Sequence, residues 1–185
     1  MYYDYEVIRS NRKTMSMGFK GTKLIVRVPL QATETAIDIF IYRNKRWIDE
    51  QYTKARRREI EKSGIKKLTQ EEIDELANKA MIIIPERVAY YAPLIGVTYG
   101  RITIGVQYAQ WGSCSSKGNL SFNCLLMLAP LDVIDSVVVH ELCHRKELNH
   151  SNKFYAEVLR VFPSYWAKHK WLKENGYKLK AMLRD

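Results

Sequence analysis

Two histidines four residues apart, in the run Val137-Val-Val-His140-Glu-Leu-Cys-His144, have the spacing in this chain that most directly implies chemistry. On a helix they project from one face a turn apart, so both imidazoles can reach one ion. Glu141 lies beside the first and is free to take a proton from a water that the ion activates. This is the HExxH arrangement of metal hydrolases. The three valines ahead of it predict a helix buried enough to hold a rigid site. With four histidines in the whole chain, the pattern arises by accident in roughly one such sequence in a few hundred.

A catalytic zinc needs a third protein ligand and an open fourth position. His150 stands six residues past His144, at the ligand spacing of the metzincin proteases, which carry a glycine where this chain has Glu147. Asn149 is expected to take a left-handed conformation and end the helix in that glycine's place. The competing third ligands are the downstream carboxylates Glu157 and Glu174. Imidazole suits zinc, and His150 is already at a known spacing, so it is the preferred reading. The expected reaction is hydrolysis at zinc, with Glu141 removing a proton from water and delivering it to the leaving group. His169, Tyr165 and Arg145 are candidates for an extra oxyanion donor by proximity in sequence alone. Cys143 is expected to face the core, and Cys114 is a residue that could face the site.

The elements that must hold these residues can be read from periodicity. Tyr5–Ser10 and Leu24–Val28 read as strands joined by a basic turn containing Gly18 and Gly21. Thr33 caps a helix with the stripe Ile37, Phe40, Ile41, Ile48 and Tyr52, running to Ser63-Gly64. Thr69-Gln-Glu-Glu72 is a capping box opening a helix with the stripe Ile73, Leu76, Ala80, Met81 and Ile84. Pro85 is expected to kink or restart that helix. Arg101–Gln107 and Leu120–Leu125 read as strands, connected as a hairpin by the polar stretch 111–119. Pro130 and Asp132 start the motif helix, Ser151 caps another over Asn152–Val161, and Pro163 begins a last one through Trp171. Trp111 and Trp171 are expected to pack in the core.

The 185 residues, 46% hydrophobic and 27% charged, suit one soluble domain. The N-terminus has no apolar stretch of signal-peptide type, and no run is long enough to span a bilayer, so a cytoplasmic location without membrane attachment is expected. Three cysteines without a CxxC pair argue against a disulfide framework and against a four-cysteine zinc site. The net charge of +10 and pI near 9.5 would attract nucleotides or nucleic acid. Much of the excess, in Lys54–Lys62 and Lys66-Lys67, also fits the solvated side of a helix.

Several motifs together resemble the YgjP-like metallopeptidase family, which lies near the SprT-like zincins. They are Trp111-Gly-Ser-Cys-Ser-Ser-Lys-Gly-Asn-Leu-Ser-Phe-Asn123, Leu128-Ala-Pro130, Val138-Val-His-Glu-Leu-Cys-His144, Asn149-His150-Ser151 and Lys170-Trp-Leu-Lys-Glu-Asn-Gly176. The start, Ile8-Arg-Ser-Asn-Arg12 through Arg46-Trp-Ile48, fits as well, so the resemblance spans nearly the whole chain. It implies an α+β zincin-like domain over 1–185, with a small antiparallel sheet and the HExxH helix in a catalytic core, 67–185. N-terminal strands and two helices precede that helix, and the strands and basic helix occupy 1–66. It also implies zinc held by His140, His144 and His150, with Glu141 catalytic. Some members carry a peptidase label and others a nucleotide pyrophosphatase label. The expected substrate is therefore a peptide or protein, with a nucleotide as the alternative and a basic nucleic-acid-associated module as the third reading. The chain departs from the family at Gly105-Val-Gln-Tyr-Ala-Gln110, where basic residues are usual, and at Cys124, where an aromatic is usual.

Overall fold

The computed structural model describes residues 5–183, arranged as two compact units, one ending at Ile65 and the other beginning at Lys66. The class is α+β, with six α-helices and two three-stranded sheets among the described residues.

In the first unit, β1 (Tyr5–Ser10), β2 (Ser16–Lys20) and β3 (Lys23–Pro29) form a sheet of order β1-β3-β2. β2 and β3 are an antiparallel hairpin closed by a two-residue turn. Gly21, at φ +59°, supplies the left-handed first position that such a turn requires. β1 lies parallel to β3 on its other side. The expected basic turn is thus itself a strand, β2, whose sequence SMGFK lacks the alternation that marks strands. Helix α1 (Glu34–Arg43) is capped by Thr33, whose hydroxyl accepts from Ala36 N–H. Asn44 separates it from α2 (Lys45–Ser63), so the single expected helix is two. Leu24, Val26, Val28, Ile37, Ile41 and Ile48 close the small core. Ile48 is the one buried residue of α2 among the described residues, so the rest of that helix is solvated, with Arg46–Glu50 and Arg57–Glu61 pairs along it.

The second unit opens with α3 (Gln70–Ile95), held by the Thr69–Glu72 capping box and ended by Gly96 at φ +77°. It runs unbroken through Pro85, where a kink or restart was expected, and through Pro93. An interior proline costs about 3 kcal/mol, and here the row Ala80, Ile84, Val88, Tyr91, Ala92, Ile95 stays buried on one face across both prolines. That row offsets the lost hydrogen bonds. Met81, one residue off the row, points outward at 56% exposure rather than joining it.

The second sheet has the order β4-β6-β5, from β4 (Ile102–Gly105), β5 (Gly112–Cys114) and β6 (Leu120–Asn123). It is mixed rather than antiparallel: β4 runs parallel to β6, and β5 antiparallel to it. The antiparallel partner of β6 is therefore not the expected strand Arg101–Gln107 but β5, which lies inside the stretch read as loop. Asn123 is fully buried. It donates to the carbonyls of Gln107 and Gln110 and accepts from Leu125 N–H, tying the β4–β5 connection to a 3-10 turn at Cys124–Leu128. Helix α4 (Leu131–Cys143) follows, buried on all sides from Val133 to Val139. α5 (Asn152–Val161), capped by Ser151, and α6 (Tyr165–Ala181) pack with α3 around it. Asp135 fastens α4 to α3 through two bonds from Arg87, 2.6 and 2.8 Å, and one from the Tyr91 hydroxyl. The three cysteines are free thiols, with Cys124 and Cys143 buried and Cys114 half-buried. Trp111 is half-buried against the core.

Candidate metal centre

His140 lies in the last turn of α4, and His144 caps its end. The following turn is built from short-range bonds: Arg145 N–H to Leu142, Lys146 and Glu147 N–H to Cys143, and Ser151 N–H to Asn149. No non-glycine residue among the described residues has a positive φ, so Asn149 is not left-handed. Tight i→i+3 bonds satisfy the last carbonyls of α4 without a left-handed residue, and this is why Glu147 can stand where a glycine was expected. The turn carries His150 back over α4, just ahead of the α5 cap.

The result is a cluster of His140, His144 and His150 whose ring nitrogens lie within 4.8 Å of one another, with the Nε2 atoms of His140 and His150 3.0 Å apart. A tetrahedral zinc with bonds near 2.05 Å separates its ligand nitrogens by about 3.3 Å, so the donor set fits such an ion in number and type, and binding would draw the more distant rings together by up to about 1.5 Å. Glu157 is outside this cluster. Its carboxylate is engaged by Arg160 and Lys146 at 2.7 and 2.6 Å, which hold it down at about 2. Glu174 pairs with Lys170 along α6.

His140 and His144 are held toward the neutral form and oriented. Burial, then the neighbouring His144, His150 and His169, pulls His140 down to about 3, and burial also lowers His144. A neutral ring must carry its proton on one nitrogen only. The Glu147 carbonyl lies 3.1 Å from His144 Nδ1 and can only accept, so that nitrogen is the donor and Nε2 is left with its lone pair. Tyr165 places its hydroxyl 2.9 Å from His140 Nδ1 and turns Nε2 toward the other two rings.

Glu141 is buried at 6% exposure and lines a cavity of about 190 Å³ with Trp111, Val137, His140, His169 and Leu172. Burial pushes its carboxyl up to about 8. Gly112 of β5 rests directly against it: a Cβ there would lie 2.7 Å from Glu141 Cγ. On the far side, Gly176 of α6 lets Trp111 close in, with its indole 2.7 Å from where a Cβ would be, and Lys180 sits 4.7 Å above the indole ring.

Of the three oxyanion candidates, Arg145 is turned away, donating to the carbonyls of Thr98 and Ser116. Tyr165 is committed to His140. His169 lines the cavity. Cys143 is buried in the core, and Cys114 is close enough for the Glu141 charge to raise its pKa, after burial. Sequence reasoning did not identify Gly112, Tyr165 as a partner of His140, or Asn123. A glycine inside a strand was the available signal for the first, because it marks close approach of another group.

The family model described as "YgjP-like, metallopeptidase domain" matches residues 64–175. No curated protein matches the chain in sequence. Among solved structures, the chain is similar to the metallopeptidase zymogen abylysin of Pyrococcus abyssi, with 20% identity and TM-score 0.44 over 49% of this chain and 93% of that one. It is likewise similar to the zymogen jannalysin of Methanocaldococcus jannaschii, with 21% identity and TM-score 0.43 over 50% and 94%.

Proposed function

The chain belongs to the YgjP-like metallopeptidase family, and on that premise we propose that it is a zinc peptidase in which His140, His144 and His150 hold the ion and Glu141 is the general base. The observation that carries this reading is the convergence of three imidazoles beside the buried carboxyl of Glu141, with His140 and Glu141 lining one cavity. A bound zinc would supply Lewis acidity, polarising the scissile carbonyl and acidifying a water, and positive charge that draws Glu141 into its ionised form.

The protein's own residues do the rest. Glu141, pressed by Gly112 into one position, accepts the water's proton and passes it to the leaving amine. Trp111, Val137 and Leu172 exclude bulk water from the cavity and give an apolar side chain a place to sit. His169 is the donor for the developing oxyanion, since the other two candidates are engaged elsewhere. An extended peptide aligns along β5, the sheet edge that touches Glu141 through Gly112. β4, the other edge of the sheet, is two strands away.

Among the described residues, no Lys or Arg lines the cavity. A triphosphate needs such partners, which places the nucleotide reading second.

The test is elemental analysis and cleavage of a quenched-fluorescent peptide library by zinc-loaded wild type, His150→Ala and Glu141→Gln. The expected result is near-stoichiometric zinc in wild type and Glu141→Gln, little in His150→Ala, and chelator-sensitive cleavage by wild type alone. Cleavage by Glu141→Gln at the wild-type rate would remove the general base. Phosphate release from nucleotides without any peptide cleavage would replace the substrate class.

A further inference from the structure

The first unit carries charge that the peptidase site does not use. Residues 1–65 hold fourteen of the thirty Lys and Arg against eight of the twenty Asp and Glu. The charge is not spread evenly around α2. Trp47, Lys54, Arg58 and Lys62 fall on one stripe of the helix, the first two about two turns apart and the cations four residues apart, and this stripe faces the β2–β3 hairpin across a groove of about 350 Å³. Phe19 of β2 forms part of the opposite wall, its ring 6.4 Å from that of Trp47. Among the described residues, Glu59 is the single carboxylate in the lining. Trp47 is 40% exposed.

We propose that this groove is a binding site for single-stranded nucleic acid, with Lys54, Arg58 and Lys62 along the phosphates and Trp47 as a stacking surface for a base. Three features favour this occupant. Successive cations four residues apart advance about 6 Å along a helix, so they form a track rather than a point, as a phosphodiester backbone requires. An exposed aromatic at one end of a cationic groove is the arrangement that binds unpaired bases whatever their sequence. An anionic membrane surface would instead want an apolar face beside the cations, and the large apolar side chains that α2 exposes, Trp47 and Ile60, lie on different sides of the helix and form no continuous face. Two cations of the helix outside the groove, Arg46 and Arg57, pair with Glu50 and Glu61. The solvated-helix reading of segment 54–67 accounts for those pairs but not for the aromatic wall.

The experiment is fluorescence anisotropy of labelled oligo(dT) and oligo(U) with the full chain across a salt series. Lys54→Gln/Lys62→Gln is compared with Lys45→Gln/Arg56→Gln, which removes the same charge from α2 positions outside the groove. Circular dichroism confirms that both variants are folded. The groove pair is expected to weaken binding about tenfold and to reduce the slope of log K against log salt by about 1.4, two phosphate contacts at about 0.7 each. The control pair should move binding less than threefold, and Trp47→Leu should weaken it at unchanged salt slope. Equal weakening by both pairs would reduce the effect to net charge and overturn the site. So would tighter binding to duplex of the same length, or binding to phosphatidylserine vesicles with none to oligonucleotide. The proposal stands or falls independently of zinc and peptide cleavage.

Discussion

Replacing Gly112 by alanine probes the position of Glu141 without removing any polar group. The added Cβ would stand 2.7 Å from Glu141 Cγ, 2.8 Å from Oε1 and 3.0 Å from Cδ. Ordinary contact begins near 3.4 Å, so the carboxylate arm must withdraw by about 0.7 Å. Because the obstacle is the end of a side chain and not backbone, overpacking should cost about 1 kcal/mol, at the low end of its usual range. The effect on chemistry is larger. Displacing a reacting group by about 1 Å costs on the order of 100-fold in rate, so kcat should fall about thirty- to a hundredfold. KM and zinc content should be unchanged, and the Tm should drop by a few degrees. The assay pairs peptide turnover with competitive zinc titration against a chromogenic chelator. A variant that is folded and zinc-loaded with kcat within threefold of wild type would refute the reasoning that Glu141 is a positioned base. Loss of zinc would instead mean that Gly112 supports the imidazole cluster.

Tyr165→Phe removes the hydroxyl that orients His140 while keeping the ring, so zinc affinity should fall about tenfold with little change in fold, as read by chelator competition. His169→Ala should lower kcat about 100-fold with KM nearly unchanged; a wild-type kcat would show that the oxyanion donor lies elsewhere. Gly176→Ala drives a Cβ to 2.7 Å from the Trp111 indole and should destabilise by about 1–3 kcal/mol, measured by urea unfolding. Glu157 has its folded pKa depressed to about 2 by Arg160 and Lys146 from an ordinary 4.5. Its contribution to stability is therefore complete above about pH 4.5 and lost as pH falls through about 2. Unfolding free energy measured from pH 5 to pH 2 should decline more steeply for wild type than for Glu157→Gln, and parallel curves would show that the ion pairs contribute nothing.

Much of this could be read from the chain alone, because it depends on local periods. His140 and His144 share a face because a helix repeats every 3.6 residues. The Thr69–Glu72 box, the Ser151 cap and the helix Asn152–Val161 follow from side chains that bond to backbone a turn away. The metallopeptidase family was legible in motifs spread between Trp111 and Gly176. What could not be read depends on groups distant in sequence. Pro85 does not interrupt α3, since the face that holds it together is buried by helices 40 and more residues away. β4 and β6 run parallel, a relation that hydrophobic alternation cannot distinguish from a hairpin. Arg145 and Tyr165 were equivalent as oxyanion candidates by position. Tertiary packing sent one to the carbonyls of Thr98 and Ser116 and the other to His140. The approach of Gly112 to Glu141 spans 29 residues and relies on the absence of a side chain, so it has no local signature beyond the glycine itself. The sequence therefore determined which groups can do chemistry. Packing decided which are oriented, which are tied away and which are pressed into place, because hydrogen bonds and van der Waals contacts act only between atoms the fold brings together.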